Sequence, residues 1–248
     1  MPFLHTISLQ GLAGPYQFAQ WVLLPFLQTL RCDTPMSSFD IQVDQSATIG
    51  LVRLYGPQLT SLTLDYSMMS RRTLESCLAS LQSLRELRLV SKSLPIGVGR
   101  PSFQGSGASW NEEDDMATAP PFGWGLLRKL APSPEAKGSI YCPKLEVFCC
   151  RPMMWEFDDV DLLAFLAARL GSKPNDNELE IARLRCVMVK FGFEKGIDVK
   201  EKLHEMGVDL EGLQLSVTYP PVEDLSMYHP SSYVFPRVET IGADFNFL

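Results

Sequence analysis

One stretch limits what this chain can fold into. Pro57 to Val90 holds Leu59, Leu62 and Leu64 in an L-x-x-L-x-L pattern, and Leu84, Leu87 and Leu89 repeat it 25 residues later. Leu74, Cys77, Leu78 and Leu81 lie between them at i, i+3, i+4 and i+7, one face of a helix. A short strand, an amphipathic helix and a second strand at a fixed offset make one turn of a stacked array. Each unit has an apolar face that only its neighbours can bury.

The same pattern recurs along the chain. Its members are Leu4, Ile7, Leu9; Leu27, Leu30, Cys32; the two central units; Leu145, Phe148, Cys150; Ile181, Leu184, Cys186; Leu210, Leu213, Leu215; and Val238, Ile241, Ala243. Successive anchors are 23, 32, 25, 61, 36, 29 and 28 residues apart. Arrays of this kind have periods of about 20–29 residues, so the longer intervals contain insertions. Residues 92–121 carry Pro95, Pro101, Pro120 and Pro121, four glycines and the acidic run Glu112 to Asp115, which predicts a disordered loop. Phe39 to Val43 alternates with period two and predicts an added short strand. Helices are expected near Tyr16 to Leu24, over Phe122 to Leu130, from a cap at Asp158 or Asp159 to Gly171, and from Asp198 to Gly207. The predicted fold is a single α/β solenoid of about eight irregular repeats over residues 1–248, with a parallel sheet on the inside and helices outside.

This pattern resembles that of leucine-rich repeat proteins over nearly the whole chain. The long, helix-bearing units preceded by Pro and a bulky residue, CPKLEVF and FPRVETI, look most like the repeat region of fungal F-box/leucine-rich-repeat proteins. The family's Asn, three residues after the third apolar position, occurs here only as Asn246. The resemblance implies recruitment of a substrate protein for ubiquitination. An F-box would be a helical segment upstream, and none is expected within this chain because the first unit starts at Pro2.

Chemistry is sparse. His204-Glu205 opens like H-E-x-x-H, but Val208 stands where the second His belongs, so no zinc pair forms. The glycines of the 92–121 loop make neither a dinucleotide fingerprint nor a P-loop, and there is no G-x-S-x-G. The spacing of the six cysteines fits no paired zinc motif, so they are expected to be reduced core thiols. Cys150 and Cys186 are expected to stack on neighbouring strands without a disulfide. Cys149 is expected to point outward, as a reactive or an inert thiol. No cofactor or metal is expected. A net charge of −7 speaks against sequence-independent nucleic-acid binding. The absence of a membrane span, of a signal-like start and of any N-x-S/T sequon points to the cytoplasm or nucleus.

Function therefore rests on the residues between the apolar anchors, which alternate onto the concave strand face. Of these, Arg31, Asp33, Asp65, Glu86, Arg88, Arg151, Arg183, Arg185, Gln214 and Asp244 are the candidate partner-binding residues. The acidic ones fall mainly in the first half and Arg151, Arg183 and Arg185 in the second. The leading expectation is a protein-protein interaction module, possibly an F-box-like substrate receptor. Two alternatives stay open: an inert fragment or degenerate repeat protein without a partner, and an enzyme with a site on the 92–121 loop.

Overall fold

A computed structural model describes residues 3–9, 18–32, 47–66, 69–90, 122–132, 140–152, 156–171 and 181–221. Seven strands run through it: β1 Thr6–Leu9, β2 Thr29–Cys32, β3 Ser61–Asp65, β4 Glu86–Val90, β5 Val147–Cys150, β6 Cys186–Lys190 and β7 Gln214–Thr218. All neighbours pair in parallel, and their spatial order is their order in the sequence. Each crossover carries a helix: α1 Phe18–Trp21, α2 Ala47–Tyr55, α3 Arg71–Ala79, α4 Trp124–Lys129, α5 Asp159–Gly171 and α6 Val199–Glu205. The result is an open, all-parallel α/β sheet, consistent with a solenoid-like stack. Parallel crossovers are right-handed in nearly all cases, and a strand order that never reverses puts every helix on one side.

Burial follows this geometry. Ile7, Leu30, Leu62, Leu87, Phe148, Val187 and Leu215 lie side by side across the sheet. Leu30, Leu62, Leu87, Phe148 and Val187 are fully buried, whereas the two at the sheet edges are half-buried. Each buried aliphatic side chain contributes about 1.5–3 kcal/mol relative to exposure, so the repeated row is the main source of cohesion. A second row, from Leu9 through Leu64 and Leu89 to Val217, repeats the pattern one pleat further on.

Aromatic rings tie the units together beyond the strand ends. Tyr66, Phe122, Phe157, Phe191 and Tyr219 form a continuous run, with centroids 5.9, 5.7, 5.7 and 5.5 Å apart. Glu156 is buried beneath it. Its carboxylate accepts from the Tyr66 hydroxyl at 2.5 Å and from the Phe122 backbone N–H at 3.3 Å. On the helix side Arg169 is also buried, and its guanidinium donates to the carbonyls of Leu130, Cys142, Pro143 and Leu145.

The helix starts have identifiable causes. Ser70 caps α3 by accepting from Thr73 N–H at 3.2 Å, and Asp198 caps α6 through Glu201 N–H at 3.0 Å. The two aspartates before α5 divide the work. Asp158 accepts from Asp161 N–H at 2.9 Å and Asp161 returns a bond to Asp158 N–H, a reciprocal cap. Asp159 is buried instead and accepts from Gly196 and Ile197 N–H at 2.7 and 2.8 Å, fixing the loop before α6. Gly207 follows α6 at φ +70, the left-handed position that ends a helix.

Two units depart from the expected frame. In the sixth, the residue in register with Phe148 is Val187, not Leu184. The apolar triplet is Leu184, Val187 and Val189, three residues later than Ile181, Leu184 and Cys186. In the seventh, Leu215 and Val217 occupy the strand positions, two residues later than Leu213 and Leu215. Helix α2, in the 32-residue interval, had no counterpart in the sequence reading. Phe39 to Val43, the 92–121 segment and the eighth unit lie outside the described residues, as do Asp33 and Asp244.

Candidate functional site

One face of the sheet is covered by helices. The other carries the alternate side chains of the same strands, and in β3 and β4 these are half-exposed while their neighbours are buried. Its middle row, read in register, is Ser8, Arg31, Thr63, Arg88, Cys149, Met188 and Ser216. The row before it runs from Thr6 through Ser61, Glu86, Val147 and Cys186 to Gln214. Asp65, Val90, Arg151, Lys190 and Thr218 lie at the strands' C-terminal ends.

This arrangement keeps Arg31, Asp65, Glu86, Arg88, Arg151 and Gln214 on the open face, as expected. It moves Arg183 and Arg185 off it. A shift of three residues in the sixth unit reverses the faces, because strand side chains alternate with period two. Both arginines precede β6 and sit on the rim. Arg183 pairs with Asp209 at 2.7 Å, and Arg185 reaches Glu146 at 3.7 Å, where Arg85 also binds at 3.1 Å. Cys186, Met188 and Lys190 occupy the strand face instead. The two-residue shift in the seventh unit leaves the faces unchanged, so Gln214 and Ser216 stay where they were expected.

The centre of the face spans β4 to β6. Val90, Val147, Cys186 and Met188 are half-exposed there, and Cys149 is 4% exposed. Glu86 is tied down beside them: it accepts from Arg88 Nε at 2.5 Å and from the Ser61 hydroxyl at 3.0 Å. An apolar floor with Arg88, Arg151 and Lys190 around it has the layout of a protein interface, with an apolar centre and a polar rim. The sequence signal for the floor was V-F-C-C beside C-V-M-V. Both runs are apolar throughout, so periodicity could not show which residues face which way.

None of the six cysteines, all of them among the described residues, is in a disulfide. Cys150 pairs across the sheet with Val189, and Cys186 with Val147, so the expected Cys150 and Cys186 neighbours are not adjacent. Cys149 does project onto the open face, but burial pushes its thiol up to about 11 despite the opposing pull of Arg88. At pH 8 roughly a thousandth of it is thiolate. Cys186 is the most accessible thiol, and burial raises it as well. Ellman's reagent at pH 8 should therefore show slow kinetics with Cys186 reacting first. A fast phase lost in Cys149→Ser but kept in Cys186→Ser would contradict this order.

Among the described residues no group of three or more His, Cys, Asp or Glu is placed to hold a metal. A hollow of about 200 Å³ beside β7 is lined by Lys195, Asp198, Val199 and Tyr219, and another of the same volume lies between α1 and α2. Ligands of open parallel sheets bind in the crevice where strand order reverses. Between β1 and β7 the order does not reverse, so no such crevice forms.

The chain matches no protein-family model, no curated protein and no solved structure. No helix among the described residues is long and apolar enough to cross a membrane.

Proposed function

We propose that this chain is a protein-binding module of the leucine-rich repeat type, working through the open face of its strands. The observation that carries this reading is that no described helix covers the second face of the sheet. Seven parallel strands in sequence order present three rows of side chains, and the described helices pack on the opposite side. A rigid sheet of this kind displays residues from several units at once, which suits recognition of an extended surface. The run of aromatics from Tyr66 to Tyr219 stacks the units just beyond the strand ends. The mode of action is presentation and not catalysis. Service as a substrate receptor for ubiquitination, in the cytoplasm or nucleus, is the narrower form of the proposal and rests on the repeat resemblance alone.

The test is comparative. Proteins retained by the immobilised chain and identified by mass spectrometry should be lost with Met188→Glu, in the centre of the face. They should persist with Arg183→Glu/Arg185→Glu, on the rim. Both variants should melt within a few degrees of the parent, because partly exposed positions contribute about 0.5 kcal/mol or less. Equal retention by all three proteins would remove the open face as the binding site.

A further inference from the structure

We infer that the partner presents an acidic segment with an aliphatic side chain among its carboxylates, and that this segment docks across β4, β5 and β6. This inference rests on the binding-face reading above and adds the chemistry of the partner.

Charge is the first argument. The chain carries a net charge of −7. The described open face has the opposite balance: four cations, Arg31, Arg88, Arg151 and Lys190, stand against two carboxylates, Asp65 and Glu86. Glu86 already accepts bonds from Arg88 and Ser61. On β4 to β6 the positive side chains come from three successive strands, which parallel pairing spaces about 4.8 Å apart. A positive patch on an acidic protein steers an acidic partner and repels copies of the same chain.

The apolar floor supplies the second argument. Val147, two residues before Cys149 on β5, and Met188, its partner on β6, are half-exposed, and Cys149 is nearly closed over. This is a shallow seat for one aliphatic side chain, with Arg88, Arg151 and Lys190 within reach of flanking carboxylates. A lipid surface is a poorer fit, because interfacial binding uses protruding Trp, Phe or Leu and this floor has none.

The experiment uses the full chain, immobilised and challenged with a phage library of random peptides and, separately, with phosphatidylserine vesicles. Enriched peptides should carry Asp or Glu around Leu, Ile, Met or Phe. A synthetic copy of an enriched peptide should associate on the order of tenfold more slowly with Arg151→Glu/Lys190→Glu, with a weaker dependence on salt. Lys190→Glu alone, at an exposed position, should move the rate in the same direction and guards against misfolding of the double variant. Enriched peptides without acidic residues that still need Met188 would overturn the charge assignment and leave the binding face standing. Peptides that bind Met188→Glu as well as the parent would overturn both. Vesicle binding without peptide enrichment, or no enrichment at all, would also overturn the inference.

Discussion

Val187→Asp is expected to unfold the chain, and Met188→Asp, one residue on, to leave it folded. Val187 is fully buried between Phe148 and Leu215 in the row that holds the units together. A carboxylate there has no partner among apolar neighbours, and the lost side chain leaves a void. The combined cost is on the order of 5 kcal/mol. That consumes much of the roughly 5–15 kcal/mol by which an ordinary domain is stable. Met188 is half-exposed on the open face, where water reaches a new carboxylate. Far-ultraviolet circular dichroism with a urea titration separates the two. The frame in which Leu184 and Cys186 are the buried strand residues makes the reverse prediction, with Met188→Asp unfolded and Val187→Asp tolerated. Leu87→Asp, where both frames agree, should behave like Val187→Asp and serves as the positive control.

That contrast also shows how far the sequence could be read. In the first four units the apolar triplets have polar residues between them, as in Ser61-Leu62-Thr63-Leu64-Asp65, and the strand frame is unambiguous. The fifth unit keeps the frame because Leu145 and Phe148 anchor it. In the sixth, Ile181, Leu184, Val187 and Val189 offer two overlapping triplets, and Cys186 and Met188 are themselves apolar. Pattern alone cannot choose between them, and the wrong choice turns every side chain over. The structure chooses by hydrogen bonding: Arg185 N–H and Cys186 N–H both reach the Glu146 carbonyl, as Glu146 and Val147 reach that of Arg85. The candidate site was therefore half legible. Its charged members on β2 to β5 could be read, but its apolar floor and Lys190 could not. Helix α2 was hidden for a related reason. Its sequence, Ala-Thr-Ile-Gly-Leu-Val-Arg-Leu-Tyr, mixes a glycine and β-branched residues that are weak helix formers, and packing against α1 and α3 overrides them.

Arg169→Met is expected to cost about 3–5 kcal/mol and to lower the urea midpoint sharply, although the substitution keeps an apolar side chain in place. Arg169 is 2% exposed, and its guanidinium gathers four carbonyls, those of Leu130 after α4 and of Cys142, Pro143 and Leu145 before β5. One side chain on α5 thus closes the unit that precedes it. Burial lowers its pKa to about 10, so it remains charged at neutral pH and the carbonyl dipoles offset its desolvation. The carbonyls of Cys142 and Pro143 keep a backbone donor, Leu145 N–H at 3.1 Å and Ala182 N–H at 2.9 Å, so the loss falls on those of Leu130 and Leu145, at about 1–3 kcal/mol for each group left unpaired. Arg169→Lys separates charge from shape. An ammonium keeps the charge but has three donors on a single atom, and it cannot span carbonyls that the planar fork reaches from two nitrogens. Lys should therefore recover less than half of the loss. Full recovery by Lys would mean that charge alone holds the turn, and an unchanged midpoint in Arg169→Met would mean that the carbonyls find other partners. The signal was present in the sequence, since Leu162, Phe165, Leu166 and Arg169 share the i, i+3, i+4, i+7 spacing of the buried stripe. An arginine in the last position of that stripe belongs to the core because the preceding turn points carbonyls inward, where the guanidinium donates to them.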